Sequence, residues 1–213
     1  MSDILKEITV KIYEGDEEQV AQLVQEGFTR GLSPSVLLED GLIAGMNRVG
    51  KDFKSGELFI PEVLIAAKSM QAGMNVLRPL LVGSKVASIG KIVIGTVKGD
   101  LHDIGKNLVK MMLEGAGFEI IDLGNDISPA SFVEAVRKHQ PAIVGMSALL
   151  TTTMPQMKET VLALQSAGLR NSIKVMIGGA PVTSEYALEI GADAYASDAA
   201  VAVDKARSLV TRL

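Results

Sequence analysis

Two hydrophobic periods divide this chain. From Ile4 to about Val82 the apolar residues recur at steps of three and four, whereas after Gly90 they gather into short β-branched runs separated by helix-length segments. In the first part, Val63, Ala66, Ala67, Met70, Met74, Leu77 and Leu81 mark one apolar face of a helix following Pro61. Asp16 with Gln19 predicts an N-cap and capping box, Gly31 a helix stop, and Ser33-Pro34 a cap with proline in the first turn. Together these predict a bundle of four helices over residues 1–82. The small, polar run from Gly83 to Gly90 predicts a linker.

Beyond the linker, candidate strands are Lys91 to Val97, Glu119 to Leu123, Ala142 to Met146, Lys174 to Ile177 and a short one at Ala194-Tyr195. Strands alternating with helical segments imply right-handed βαβ crossovers and a parallel sheet covered on both faces. The expected fold class is thus α + α/β: a helical unit, then a five-stranded, Rossmann-like (flavodoxin-like) unit over residues 91–213 in the order 2-1-3-4-5. That order sets the carboxyl ends of strands one and three side by side, where open α/β sheets hold their ligands.

Composition narrows the class. A 47% hydrophobic chain of 213 residues has ample material for a core. With no cysteine there is no disulfide, thiolate metal site or cysteine nucleophile, and a reducing cytoplasmic setting is expected. Net charge is -4, only 4% of residues are aromatic and no basic cluster occurs, so nucleic acid is not the expected partner. Neither a signal-peptide pattern nor a membrane-spanning apolar run is present in the sequence, and no membrane partner is expected.

The chemistry concentrates in Gly99-Asp100-Leu101-His102-Asp103-Ile104-Gly105, directly behind the first strand. A histidine whose second ring nitrogen is held by a carboxylate has its tautomer and direction fixed and its basicity toward a metal raised. Ser147, at the end of the third strand, falls beside Asp100 and His102 under the expected order. No second histidine or cysteine lies near His102, so one axial ligand to a metal already held in a macrocycle fits better than a protein-built centre. Asp103 also reads as a first-turn helix residue favoured by the dipole. The other histidine, His139, follows Arg137-Lys138 at a helix end and reads as solvated.

The run Gly99 to Asn107 resembles the cobalamin-binding signature Asp-x-His-x-x-Gly, and Ser147-Ala148-Leu149 and Gly178-Gly179 match its two later elements in order. The resemblance spans essentially the whole chain and is to the corrinoid proteins of methyltransferase systems, related to the cobalamin-binding module of methionine synthase. It implies cobalamin, as methylcobalamin or another corrinoid, held base-off with His102 as the lower cobalt ligand. Asp100 would be the hydrogen-bond partner of His102 and Ser147 the next link. Asp103, Ile104, Gly105, Leu149, Thr151, Gly178 and Gly179 would contact the cofactor, the glycines making room for its nucleotide tail. Phe59, Val63 and Met70 of the helical cap would lie over the upper face.

The function implied is a methyl carrier between a substrate-specific methyltransferase and an acceptor methyltransferase, served by a reductive activase. A methyltransferase barrel takes about 250 residues, more than this chain offers, so the transfer chemistry is expected in trans. Methoxyaromatic, methylamine, methanol and betaine donors fit the resemblance, as do tetrahydrofolate and coenzyme M acceptors, with a lean toward O-demethylation. Alternatives are the cobalamin-binding subunit of a mutase and a cobalamin-sensing regulatory protein. A phosphorelay receiver would end its third strand in aspartate, where this chain has Met146-Ser147.

Overall fold

A computed structural model describes residues 2–81 and 88–211. The chain divides into a unit of Met1–Ala87, with which Gly115–Gly117 group, and a unit formed by Ser88–Glu114 and Phe118–Leu213. The predicted linker lies for its greater part, residues 83–87, outside the described residues; Ser88 to Gly90 lead directly into the first strand.

The first unit is helical. Its elements are α1 (Ser2–Glu14), α2 (Glu17–Thr29), α3 (Pro34–Val36), a π-helical stretch Leu37–Ile43, α4 (Ala44–Ser55) and α5 (Ile60–Leu81). Since α3, the π-helical stretch and α4 run on without a break, they form one rod, and the expected four helices are found. Asp16 caps α2 by accepting the Gln19 amide, as expected, but the Gln19 side chain donates to Gln22 instead of closing a reciprocal box. Ser33 caps α3 through the Val36 amide, with Pro34 in the first turn. The apolar stripe of α5 is realised as buried Val63, Ala66, Met70 and Leu77, with Ile8, Ile12, Val20, Val24, Leu37 and Leu42 also in the core. A Cβ at Gly45 would stand 2.9 Å from Ile12 Cδ1, so glycine is what lets α1 lie this close to α4.

The second unit holds a five-stranded parallel sheet in the order β2-β1-β3-β4-β5, as the alternation predicts. The strands are β1 (Lys91–Thr96), β2 (Glu119–Asp122), β3 (Ile143–Ser147), β4 (Lys174–Gly178) and β5 (Ala194–Ala196). Helices α6 (Ile104–Gly115), α7 (Pro129–His139), α8 (Pro155–Ser166), α9 (Ser184–Ile190) and α10 (Ala199–Val210) connect and follow them. Three strands are buried almost throughout, which is why they read as unbroken apolar runs. Val93, Phe132, Val144, Met157, Leu164, Val175 and Ile177 belong to one contiguous core of this unit. The register pairs Thr96 with Ser147, so the loops leaving β1 and β3 start level with each other.

One ion pair locks the entrance of α6 to the end of β2. The Lys106 ammonium, with its side chain only 1% exposed, donates to Asp122 Oδ1 at 2.7 Å, and Lys110 donates to the other oxygen at 3.2 Å. Partial burial raises the Asp122 pKa, but the bonds from Lys106, the Gly124 amide and Lys110 outweigh it and hold the carboxyl below its usual range. Because the folded pKa lies below the unfolded one, this contribution is fully present above about pH 4 and is lost as pH falls through the folded value. Asp122→Ala is expected to cost roughly 3 kcal/mol in urea unfolding at pH 7, since it strands a buried ammonium, with the gap to wild type narrowing on acidification.

Candidate functional site

The centre of the site is a buried carboxylate that gathers donors from two loops. Asp100 is fully buried at the end of the segment leaving β1. Its Oδ2 accepts the Leu149 amide at 2.7 Å, the Leu150 amide at 3.3 Å and the Thr153 hydroxyl at 2.7 Å, all from the loop after β3. Its Oδ1 accepts the His102 amide at 3.1 Å and faces His102 Nδ1 at 2.8 Å. Burial by itself would push this carboxyl up, but the hydrogen bonds from Thr153, Leu149 and both groups of His102 prevail and hold it far below the usual carboxylate range.

That carboxylate fixes which ring nitrogen donates. A carboxylate can only accept, so Nδ1 carries a proton and donates, and in the neutral ring the lone pair is then on Nε2. The imidazole is 51% exposed while its partner is wholly buried. One nitrogen base is therefore held by its back and presented by its front. Around it the loop ends offer apolar surface: Leu101 is 68% exposed and Ile104 81%, with Leu149 and Leu150 exposed as well.

Such a donor set suits one kind of metal complex. Among the described residues no group of three or more His, Asp or Glu side chains is placed to hold an ion. A single imidazole beside exposed leucine and isoleucine would suit a metal already held by a macrocycle, as in a corrinoid, with His102 as the one protein ligand. At Gly105, in the first turn of α6, a Cβ would meet nothing within 4 Å, so the backbone there is open to close approach by a ligand. His102, Asp100 and Gly105 thus fit a corrinoid on grounds of donor, orientation and space.

One expectation needs revision. Ser147 is not the next link: the hydroxyl that reaches Asp100 belongs to Thr153. Ser147 ends β3, and its carbonyl accepts the Val97 amide in the ladder, whereas Thr153 stands in the turn before α8, buried and aimed back at the carboxylate. In the sequence Thr153 is one of three consecutive threonines, Thr151-Thr152-Thr153, and the pattern does not single it out from them. We expect Thr153→Val to weaken the unit by about 1–2 kcal/mol in chemical unfolding and Ser147→Ala to be near neutral.

Gly178-Gly179 have a structural role of their own. A Cβ on Gly179, at φ +134°, would come 1.8 Å from the Ala148 carbonyl oxygen, and one on Gly178 would come 2.9 Å from that of Ala196. The space their missing side chains leave is filled by the neighbouring strand ends, so the fold itself requires these glycines. Of the remaining candidates, Asp103 contributes its carbonyl to the first turn of α6 by accepting the Asn107 amide. Thr151 is exposed in the loop after β3. In the helical unit Val63 and Met70 are buried, and Phe59 alone of the three is exposed, at 67%.

This geometry has relatives. Residues 90–204 match the model of the B12 binding domain, and residues 4–78 match a second model of that description. The chain belongs to the B12-binding family, and within it to the corrinoid proteins of methyltransferase systems. It is 42% identical over 210 residues to trimethylamine corrinoid protein 1 of Methanosarcina acetivorans, covering 98% of this chain and 97% of the relative. It is 48% identical over 180 residues to dimethylamine corrinoid protein 1 of the same organism, 84% of either chain. Among solved structures it is similar to the methanol:cobalamin methyltransferase complex of Methanosarcina barkeri, with TM-score 0.90 and 30% identity over 99% of this chain and 81% of that one. The protein binds a corrinoid. Among the described residues no helix is long and apolar enough to cross a membrane.

Proposed function

We propose that the chain carries its corrinoid base-off, with Nε2 of His102 on cobalt, and shuttles methyl groups from a methylamine donor to an acceptor methyltransferase. The observation that carries the reading is the 2.8 Å contact from His102 Nδ1 to the buried Asp100 carboxylate, which leaves Nε2 as an outward-facing base. When bound, the corrinoid supplies a cobalt ion that can take up a methyl group and give it away. Asp100 keeps the imidazole in one tautomer, and Thr153, Leu149 and Leu150 keep Asp100 ionised and still. Exposed Leu101 and Ile104 offer apolar contact to the macrocycle.

Methylamine is proposed as the donor class because the curated relatives described above are named for trimethylamine and dimethylamine. The lean toward methoxyaromatic donors finds no support in them. The partners proposed are a donor methyltransferase, as in the methanol complex to which the fold is similar, an acceptor methyltransferase and a reductive activase. Shielding of the cofactor by the helical unit belongs to the same proposal, and Phe59 is the exposed residue offered for it. The test supplies reduced, cobalamin-loaded protein with trimethylamine-, dimethylamine-, methanol- and methoxyaromatic-specific methyltransferases in turn and measures consumption of each donor. Consumption with an amine-specific partner, and none without a partner, is expected. Consumption only with a methoxyaromatic partner would overturn the donor assignment, and rapid consumption by the isolated chain would overturn the carrier role.

A further inference from the structure

The loop after β2 grips the histidine loop from the side away from Thr153. Thr96, the last residue of β1, donates its hydroxyl to the His102 carbonyl at 3.1 Å and its amide to the Gly124 carbonyl at 3.0 Å. Asn125 Nδ2 donates to the Leu101 carbonyl at 3.4 Å, and the Asp126 amide to the Asp100 carbonyl at 3.1 Å. Asp126 Oδ1 in turn accepts the Gly99 amide at 2.7 Å. Asp126 therefore reaches both sides of the residue that orients the ligand: its amide holds the Asp100 carbonyl and its carboxylate holds the amide just before Asp100. It does so at φ +54°, one of two non-glycine residues with positive φ among those described. A non-glycine residue held in the left-handed region is costly unless its surroundings require it.

Upstream, the clamp is anchored. The Gly124 amide donates to Asp122 Oδ1 at 3.0 Å, the oxygen that also takes Lys106, so the loop is fixed to the buried ammonium in the first turn of α6. Both ends of the Gly99–Gly105 segment are thereby tied to one short loop. Asp100 fixes the ring of His102; the β2 loop fixes the backbone from which both residues hang.

We propose that Asp126 is a positioning residue for the cobalt ligand, setting the backbone of the His102 loop without touching the cofactor. The inference rests on His102 being the axial ligand. The variants follow from the geometry. Asp126→Asn keeps an acceptor and tolerates positive φ, Asp126→Gly keeps the backbone conformation and removes the acceptor, and Asp126→Ala removes the acceptor and adds strain.

Each protein is produced with 15N-labelled histidine, loaded with cobalamin and reduced to Co(II), and the paramagnetic-resonance splitting from the axial nitrogen is recorded. A labelled histidine on cobalt splits the lines into doublets; an unlabelled benzimidazole splits them into triplets. In wild type and Asp126→Asn the doublet is expected to dominate. In Asp126→Gly and Asp126→Ala the ratio of doublet to histidine-off signal is expected to fall roughly fivefold, the factor that one net hydrogen bond supplies. In the cofactor-free proteins, exchange of the Gly99 amide should quicken by a similar factor in the glycine and alanine variants only.

Equal doublets and equal Gly99 exchange in all four proteins would overturn the role of Asp126. So would a loss in Asp126→Asn as large as in Asp126→Gly. Absence of the doublet in wild type would instead overturn the assignment of His102 on which the inference stands, while the exchange measurement on the cofactor-free chain would still judge the clamp.

Discussion

His102→Ala is expected to leave the fold intact and to strip the cofactor of its lower ligand from the protein. The side chain is half exposed, and its amide still closes the turn onto Asp100 when the ring is gone, so truncation removes one hydrogen bond and little packing. Unfolding of the cofactor-free variant should remain cooperative, with a loss of no more than about 1.5–3 kcal/mol, the worth of one hydrogen bond to a charged group. Corrinoid affinity should fall by at least the roughly 10- to 100-fold that loss of a ligand-orienting partner costs elsewhere. The visible spectrum of variant loaded with hydroxocobalamin should show the cofactor's own base, or water, in the lower position. A spectrum and affinity equal to wild type would remove His102 from the metal.

Asp100→Ala is expected to damage stability and site together. It leaves the Leu149 and Leu150 amides, the buried Thr153 hydroxyl and His102 Nδ1 without the carboxylate they share. Breaking a buried charged hub of this kind costs roughly 3–5 kcal/mol, read as a shift of the urea midpoint. Asp100→Asn separates the two effects. Its amide oxygen still accepts, so stability should recover in part. Its nitrogen is a donor facing donors, however, and the imidazole loses the carboxylate that fixed its tautomer. Corrinoid binding should then remain about 10- to 100-fold weaker than wild type. An asparagine variant with wild-type affinity would show that the carboxylate holds the loop but does not tune the ligand.

The difference between Asp100 and Thr153 shows what the chain reveals when read alone. The sheet order was legible because short, β-branched apolar runs such as Ile92-Val93-Ile94, bounded by glycines, read as strands buried on both faces, and β1 and β3 then meet at the switch point. His102 and Asp100 were legible because their two-residue spacing suffices to bring ring and carboxylate together. The hydroxyl partner was misassigned to Ser147, since strand ends can be located from the pattern but the turn beyond them cannot. Thr153 lies 53 positions from Asp100 and is aimed at it only by the turn into α8.

The β2 loop was missed for the same reason. Gly124-Asn125-Asp126 has the composition of any turn, and its clamp on the histidine loop depends on the positive φ of Asp126, which composition does not disclose. The glycines at 178 and 179 carry a demand of the fold that the sequence pattern does not disclose. Their pattern was recognised, yet the atoms that exclude a Cβ there belong to Ala148 and Ala196 of this chain.

The measurement that tests the account most directly is a crystal structure of the protein loaded with cobalamin, with cobalt located by its anomalous scattering. The account predicts Nε2 of His102 at bonding distance from cobalt, Nδ1 still donating to Asp100, Thr153 still on the same carboxylate, and the benzimidazole displaced from the metal. Cobalt bearing its own benzimidazole, with the His102 ring turned away from it, would contradict the account.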